Sequence, residues 1–165
     1  MEHYIRSALA LLVLLLLQTT FVPFLSINGF LPDVLLIWVV YIALTRGQLE
    51  ATITGFVVGL LQDAVAIQFF GLSALSKTLA GFVAGYFFNE NLTDQTLGSY
   101  RFLLITFLSS FVHNILYYGI FLQGIQDALL TTMIEFSIAA SLYTVLVGVF
   151  PMFTFVRKYR FSQSL

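Results

Sequence analysis

The chain has 165 residues, of which 59% are hydrophobic and only 9% charged, with a net charge of −1 and a mean hydropathy of +0.97. A water-soluble domain carries about 25% charged residues, so the polar surface is too small to cover a globular exterior and lipid is the solvent for most of the chain. The near-zero net charge excludes nucleic acid as a partner, since phosphates require clustered Lys and Arg. The absence of cysteine excludes disulfides, thiolate catalysis and Cys-based zinc sites.

The length fits one integral membrane domain, residues 1–165, with no separate soluble module. A spanning helix needs about 20 apolar residues, and the sequence predicts six such helices. The first runs from about Ser7 to Phe24. It is Leu-rich from Leu9 to Leu17 and continues through Thr19–Val22 without a small-residue cleavage site, so it reads as a retained helix rather than a signal peptide. The second, about Phe30 to Thr45, is short and places Pro32 in its first turn, where a missing N–H is harmless. The third and fourth run from about Leu49 to Ile67 and Leu72 to Phe88. The fifth runs from about Arg101 to Leu122. The sixth lies within 127–156, long enough to tilt. Breaks fall at Ser26–Gly29, Arg46–Gln48, Gln68–Gly71, Asn89–Ser99 and Gln123–Gln126.

The cations give an orientation. Arg6 lies before the first helix, Arg46 in the gap after the second, and Arg101 at the end of the gap after the fourth. Arg157, Lys158 and Arg160 follow the last. An even helix count puts all six on one side, which the positive-inside rule makes cytoplasmic. The expectation is a multi-pass protein of the bacterial inner membrane with both termini in the cytoplasm. The C-terminal basic cluster reads as a headgroup anchor. The exception is Lys77, within the fourth helix.

Charges in hydrocarbon are costly and have either a partner or a task. Asp63 near the outer end of the third helix and Lys77 one turn into the fourth are candidates for a pair. The alternative is that Lys77 snorkels to the headgroups and Asp63 meets water. His113 and Glu135 lie at equal depth, about 12–13 Å below the outer ends of their helices at 1.5 Å per residue, with Asn114 nearby. That permits a hydrogen bond or a proton relay, although an ordinary interhelical contact is the commoner use of such residues. Asp33, Asp63 and Asp127 face Lys77 alone at the outer side, which favours a basic juxtamembrane segment on a partner. Gly55 with Gly59, and Gly81 with Gly85, repeat at a spacing of four on consecutive helices. Both glycines of each pair share a face, which lets the third and fourth helices approach closely.

Catalytic signatures are missing from the sequence. No Ser-x-Gly elbow, His-Glu-x-x-His or phosphate loop occurs. The two histidines, His3 and His113, are too far apart for a metal site. The Asn-x-Ala-Asp pattern of lipoprotein signal peptidases is not matched, since Asp63 is followed by Ala64. The expectation is no enzyme, no catalytic residue, no metal and no cofactor.

The second to fourth helices carry a further pattern. Pro-Asp-Val-Leu-Leu begins at Pro32, and Arg46-Gly47 follows at the turn. Then comes Gly55-Phe-Val-Val-Gly-Leu-Leu-Gln-Asp63, followed by Gly71-Leu-Ser73. The segment from Pro32 to Phe88 resembles the MreD family, small membrane subunits of the bacterial rod-shape machinery. Length, helix count and apolar character agree over the whole chain. The resemblance implies a non-enzymatic scaffold that binds MreC, a bitopic protein with a large extracytoplasmic domain. It also implies help in linking MreB filaments to the RodA glycosyltransferase and its partner transpeptidase, in peptidoglycan synthesis. The implied fold is an all-α bundle of six transmembrane helices similar to the substrate-binding subunits of energy-coupling-factor vitamin transporters. That similarity supplies the alternative function, a transporter substrate subunit, for which Asn28, Asp33, Asp63 and Lys77 would line an outer cavity. The first and sixth helices are the candidate edges for a partner helix.

Overall fold

The computed structural model describes residues 2–27, 29–66, 69–121 and 129–162; Asn28, Asp127 and the break predicted at Gln123–Gln126 lie outside them. The described chain is helical, with one isolated antiparallel bridge between Ile27 and Phe30. Helix α1 covers Glu2–Thr20 and is followed by a single 3₁₀ turn, Val22–Leu25. Then come α2 (Val34–Arg46), α3 (Gln48–Ala66) and α4 (Leu72–Gly85). A second 3₁₀ turn (Glu90–Leu92) leads into the short α5 (Thr93–Leu97), followed by α6 (Tyr100–Phe121) and α7 (Leu129–Ser162).

The departures from the predicted boundaries have local causes. Asp33 adopts extended backbone and accepts the Leu36 N–H at 2.9 Å, so α2 begins at Val34 and Pro32 lies before it, not in its first turn. A carboxylate at this position satisfies one of the free N–H groups at a helix start. The first helix stops at Thr20, and the chain tightens into the 3₁₀ turn containing Pro23. The fourth helix stops at Gly85 because the next three N–H groups, those of Tyr86, Phe87 and Phe88, bond three residues back. The break predicted at Asn89–Ser99 is partly helical. The last helix continues through Pro151 to 162.

The packing is inverted relative to a soluble bundle. Helix α2 is the axis: Leu35, Leu36, Val39, Val40, Ala43 and Leu44 are all buried. Around it the interior is lined with polar groups. Ser73, Ser76, Lys77, Thr106, Ser109, Ser110, His113, Asn114, Ser137, Ser141 and Thr144 are all buried. The outside is apolar. Leu130, Ile134, Ile138, Leu142, Leu146 and Phe150 recur every four residues along α7 and are all exposed. In water that stripe would favour association. In lipid it is the expected exterior, and the interior serines can hydrogen-bond without competing with water.

Among the described residues, three helices are long and apolar enough to cross a membrane: α3, α6 and residues 130–154 of α7. Helices α2 and α4, at 13 and 14 residues, are only about 20 Å long, short of the roughly 30 Å hydrocarbon core. Their ends therefore lie inside the thickness that α6 and α7 can span.

The closest helix pair is α3 with α4. A Cβ on Gly59 would fall on the backbone of Ser73 and Ala74, and one on Gly55 would meet the Lys77 carbonyl. On the other side, a Cβ on Gly81 would lie 2.6 Å from the Ala51 carbonyl oxygen, and one on Gly85 would collide with Gln48. All four glycines named from the sequence lie in this one interface, where the absence of side chains brings backbone against backbone.

Candidate functional site

The short segment Pro32–Val34 is where most of the helices meet. Asp33 is the N-cap of α2, and its other carboxylate oxygen, Oδ2, accepts from Lys77 Nζ of α4. His113 Nε2 of α6 lies 3.4 Å from the same oxygen. The Asp33 backbone N–H donates to Thr144 Oγ1 of α7 at 3.1 Å. From α1, Gln18 grips both flanking residues: its Nε2 donates to the Pro32 carbonyl at 3.1 Å, and its Oε1 accepts the Val34 N–H at 2.9 Å. Five helices are thus tied to three consecutive residues.

The electrostatics of this junction are those of a buried ion pair. The Lys77 side chain is fully buried and that of Asp33 is 13% exposed. An isolated ammonium there would be strongly disfavoured. Asp33 provides the countercharge and is itself held by the helix start and by His113. Among the described residues, the buried hydroxyls of Ser109 and Ser137 have no hydrogen-bond partner. Among the described residues no group of three His, Asp or Glu side chains is arranged to hold a metal.

Lys77 therefore pairs with Asp33, and the expected Asp63–Lys77 pair is replaced. Asp63 closes the start of α4 instead. Its carboxylate accepts the N–H groups of Gly71, Ser73 and Ala74 at 2.9, 3.2 and 3.2 Å. The carboxylate reaches α4 from α3 because Gly71, at φ +96°, turns the chain back sharply. Three backbone donors satisfy it without a cation. We expect Asp63→Ala to cost about 1–2 kcal/mol through loss of this cap. Asp63→Asn, which keeps one acceptor, should cost less. Thermal melting in detergent measures both.

The His113–Glu135 contact is likewise replaced. His113 turns toward Asp33, and Glu135 is exposed on α7. Equal depth did not imply a common face. Asn114 makes an α6–α7 hydrogen bond, donating to Ser141 of α7 and also to Ser110 of its own helix, at 3.2 Å each. Sequence reasoning missed Gln18 and Thr144, both uncharged. It also missed the capping role of Asp33, although an Asp directly before an apolar run is a helix-start signal.

A second feature lies on the outside. Helices α1 and α7 both pack on α2 but make little contact with each other. An apolar groove of about 790 Å³ separates them, walled by Leu9, Val13 and Leu17 on one side and Val147 and Phe150 on the other, with Trp38 on its floor.

The model of the rod shape-determining protein MreD family matches residues 4–159, nearly the whole chain. The chain belongs to the MreD family. No curated protein and no solved structure matches it. Family membership and the apolar helices make it a rod shape-determining membrane protein. The MreD-like segment singled out in the sequence, Pro32 to Phe88, holds both halves of the site. Pro32-Asp33 forms the junction, and the Gly-x-x-x-Gly-Leu-x-x-Asp string runs from the α3–α4 contact at Gly55 to the carboxylate that closes α4.

Proposed function

We propose that this MreD-family chain is a non-enzymatic scaffold of the bacterial elongation complex. It binds MreC and helps couple MreB filaments to RodA and its transpeptidase in peptidoglycan synthesis. It sits in the inner membrane with six crossings and both termini in the cytoplasm. Two arginines support the orientation. Thr93 Oγ1, at the start of α5, donates to the Leu44 carbonyl near the end of α2, which brings Arg46 and Arg101 to the same end of the bundle.

The observation that carries the reading is the groove between α1 and α7. Its walls are almost wholly apolar, and it lies between the two helices expected to form edges. In lipid, helix association comes from close packing rather than hydrophobic exclusion, so a preformed concave seat favours a partner helix of matching shape. The single membrane helix of MreC fits such a seat. The transporter alternative requires Asp33, Asp63 and Lys77 to face a ligand cavity. Instead Asp33 and Lys77 satisfy one another and Asp63 is engaged by three backbone groups, so no observation favours it.

The test is recovery of MreC with the tagged chain from bacterial membranes in mild detergent. The wild-type chain should retain MreC. Filling the groove with Val13→Trp and Val147→Trp should lower recovery about tenfold, equivalent to about 1.4 kcal/mol, without changing the melting midpoint. No MreC on the wild-type chain would refute the scaffold reading. Full recovery on the filled variant would refute the groove as the seat.

A further inference from the structure

A second cleft, of about 460 Å³, opens at the end of the bundle that holds Arg46 and Arg101. It lies between the end of α4 and the start of α6. Tyr86, Phe88, Leu92 and Leu104 form its walls, and Thr96 and Arg101 contribute its polar groups together with Asn89. The walls are exposed: Tyr86 is 70% and Leu104 60% accessible, so the cleft runs out onto the apolar exterior of the bundle.

The polar groups of this cleft are all able to donate. The Arg101 guanidinium makes no ion pair or hydrogen bond among the described residues; its backbone N–H donates to Ser99 Oγ. Asn89 uses its side-chain oxygen to accept the Asn91 N–H, which leaves its amide NH2 available. Thr96 adds a hydroxyl. Among the described residues no carboxylate lines the cleft; Glu90 and Asp94, the acidic residues nearest in sequence, are not among its lining residues. The positive end of the 22-residue α6 adds to the same field. By contrast, Arg46 at the same end of the bundle pairs with Glu50 at 3.5 Å.

We propose that this cleft binds an anionic phospholipid, with the headgroup phosphate on Arg101, Asn89 and Thr96 and the first part of an acyl chain against Tyr86, Leu92 and Leu104. A guanidinium fork suits phosphate oxygens geometrically. The walls distinguish the ligand further. A free anion gains nothing from four apolar side chains, and an acidic peptide would present polar backbone to them. An amphiphile whose charge and chain are adjacent matches both surfaces at once. The site is independent of the groove between α1 and α7 and of MreC binding.

Native mass spectrometry of the purified chain in a non-ionic detergent tests this. The probes are phosphatidylglycerol, phosphatidylcholine with the same acyl chains, and inorganic phosphate. The wild-type chain should bind phosphatidylglycerol about tenfold more tightly than phosphatidylcholine, and phosphate should not displace it. Arg101→Gln should abolish the preference, while Arg46→Gln retains it. Leu92→Trp, which fills the cleft but leaves Arg101 in place, should weaken phosphatidylglycerol binding as well. The proposal is overturned if the wild-type chain shows no preference or if Arg101→Gln keeps it. It is equally overturned if Arg46→Gln loses as much, which means general charge attraction, or if phosphate competes effectively, which means a free-anion site.

Discussion

Asp33→Asn should be among the most damaging single substitutions in the chain. It retains a side-chain oxygen to cap α2 at Leu36, so the helix start is preserved. What it removes is, among the described residues, the only negative charge within ion-pair distance of Lys77, whose side chain is fully buried. Removing one partner of a buried pair typically costs about 3–5 kcal/mol, because the other charge is left uncompensated. For a chain of this size that corresponds to a fall of roughly 10 °C in the melting midpoint, readable from the single tryptophan, Trp38. Lys77→Met should cost less. The carboxylate it leaves behind still accepts the Leu36 N–H and lies beside His113. The double variant, Asp33→Asn with Lys77→Met, carries neither charge and should melt above Asp33→Asn alone. Strict additivity of the two losses would show that the pair does not couple. Rod-shape complementation should follow the same order, because five helices are positioned through this junction.

The sequence made the solvent, the helices and the glycine contacts legible, and each for a physical reason. Long apolar runs with so few charges admit little besides membrane helices. Four-residue glycine spacing on consecutive helices has one geometric consequence, close approach, and Gly55, Gly59, Gly81 and Gly85 show it. Charge pairing was not legible. Lys77 has two aspartates at similar depth, Asp33 and Asp63, and the sequence favours the one on the neighbouring helix. The choice is decided by backbone geometry. The turn at Gly71 presents three N–H groups to Asp63, so that carboxylate is satisfied without a cation, and Lys77 reaches Asp33 across the bundle. His113 and Glu135 illustrate the same limit. Depth along a helix can be counted from the sequence, but the direction in which a side chain leaves the helix depends on how neighbouring helices pack. Uncharged partners such as Gln18 and Thr144 carry no signal at all until the α2 start is located. The short α2 and α4 complete the picture. Because they end within the span of α6 and α7, their polar ends need internal partners, and the ion pair and the capped α4 are those partners.

The glycines of α3 should transmit damage to that junction without touching it. Gly55 lies beneath the Lys77 carbonyl, and an added methyl there would collide with backbone, which cannot rotate away as a flexible side chain can. Gly55→Ala must therefore push α4 from α3 and carry Lys77 away from Asp33. Overpacking of this kind typically costs about 1–3 kcal/mol, and here loss of the ion-pair geometry adds to it. Gly59→Ala, which would meet the Ser73 and Ala74 backbone, should behave similarly and should also disturb the Asp63 cap on those residues. The control is Gly148→Ala on α7. Its added methyl would have only ordinary contacts, with Ile37, Leu103 and Thr106 at 3.8–3.9 Å. Alanine is the better helix former by about 0.5–1 kcal/mol, so this variant should melt at or slightly above the wild-type midpoint. Melting curves of the three variants decide the matter. A Gly55→Ala chain as stable as Gly148→Ala would mean that α3 and α4 do not meet backbone to backbone, and that the position of Lys77 does not depend on that contact. If instead Gly55→Ala is destabilised but adds little further loss in an Asp33→Asn background, the two changes act on one element: the buried pair that the close approach of α3 and α4 holds in register.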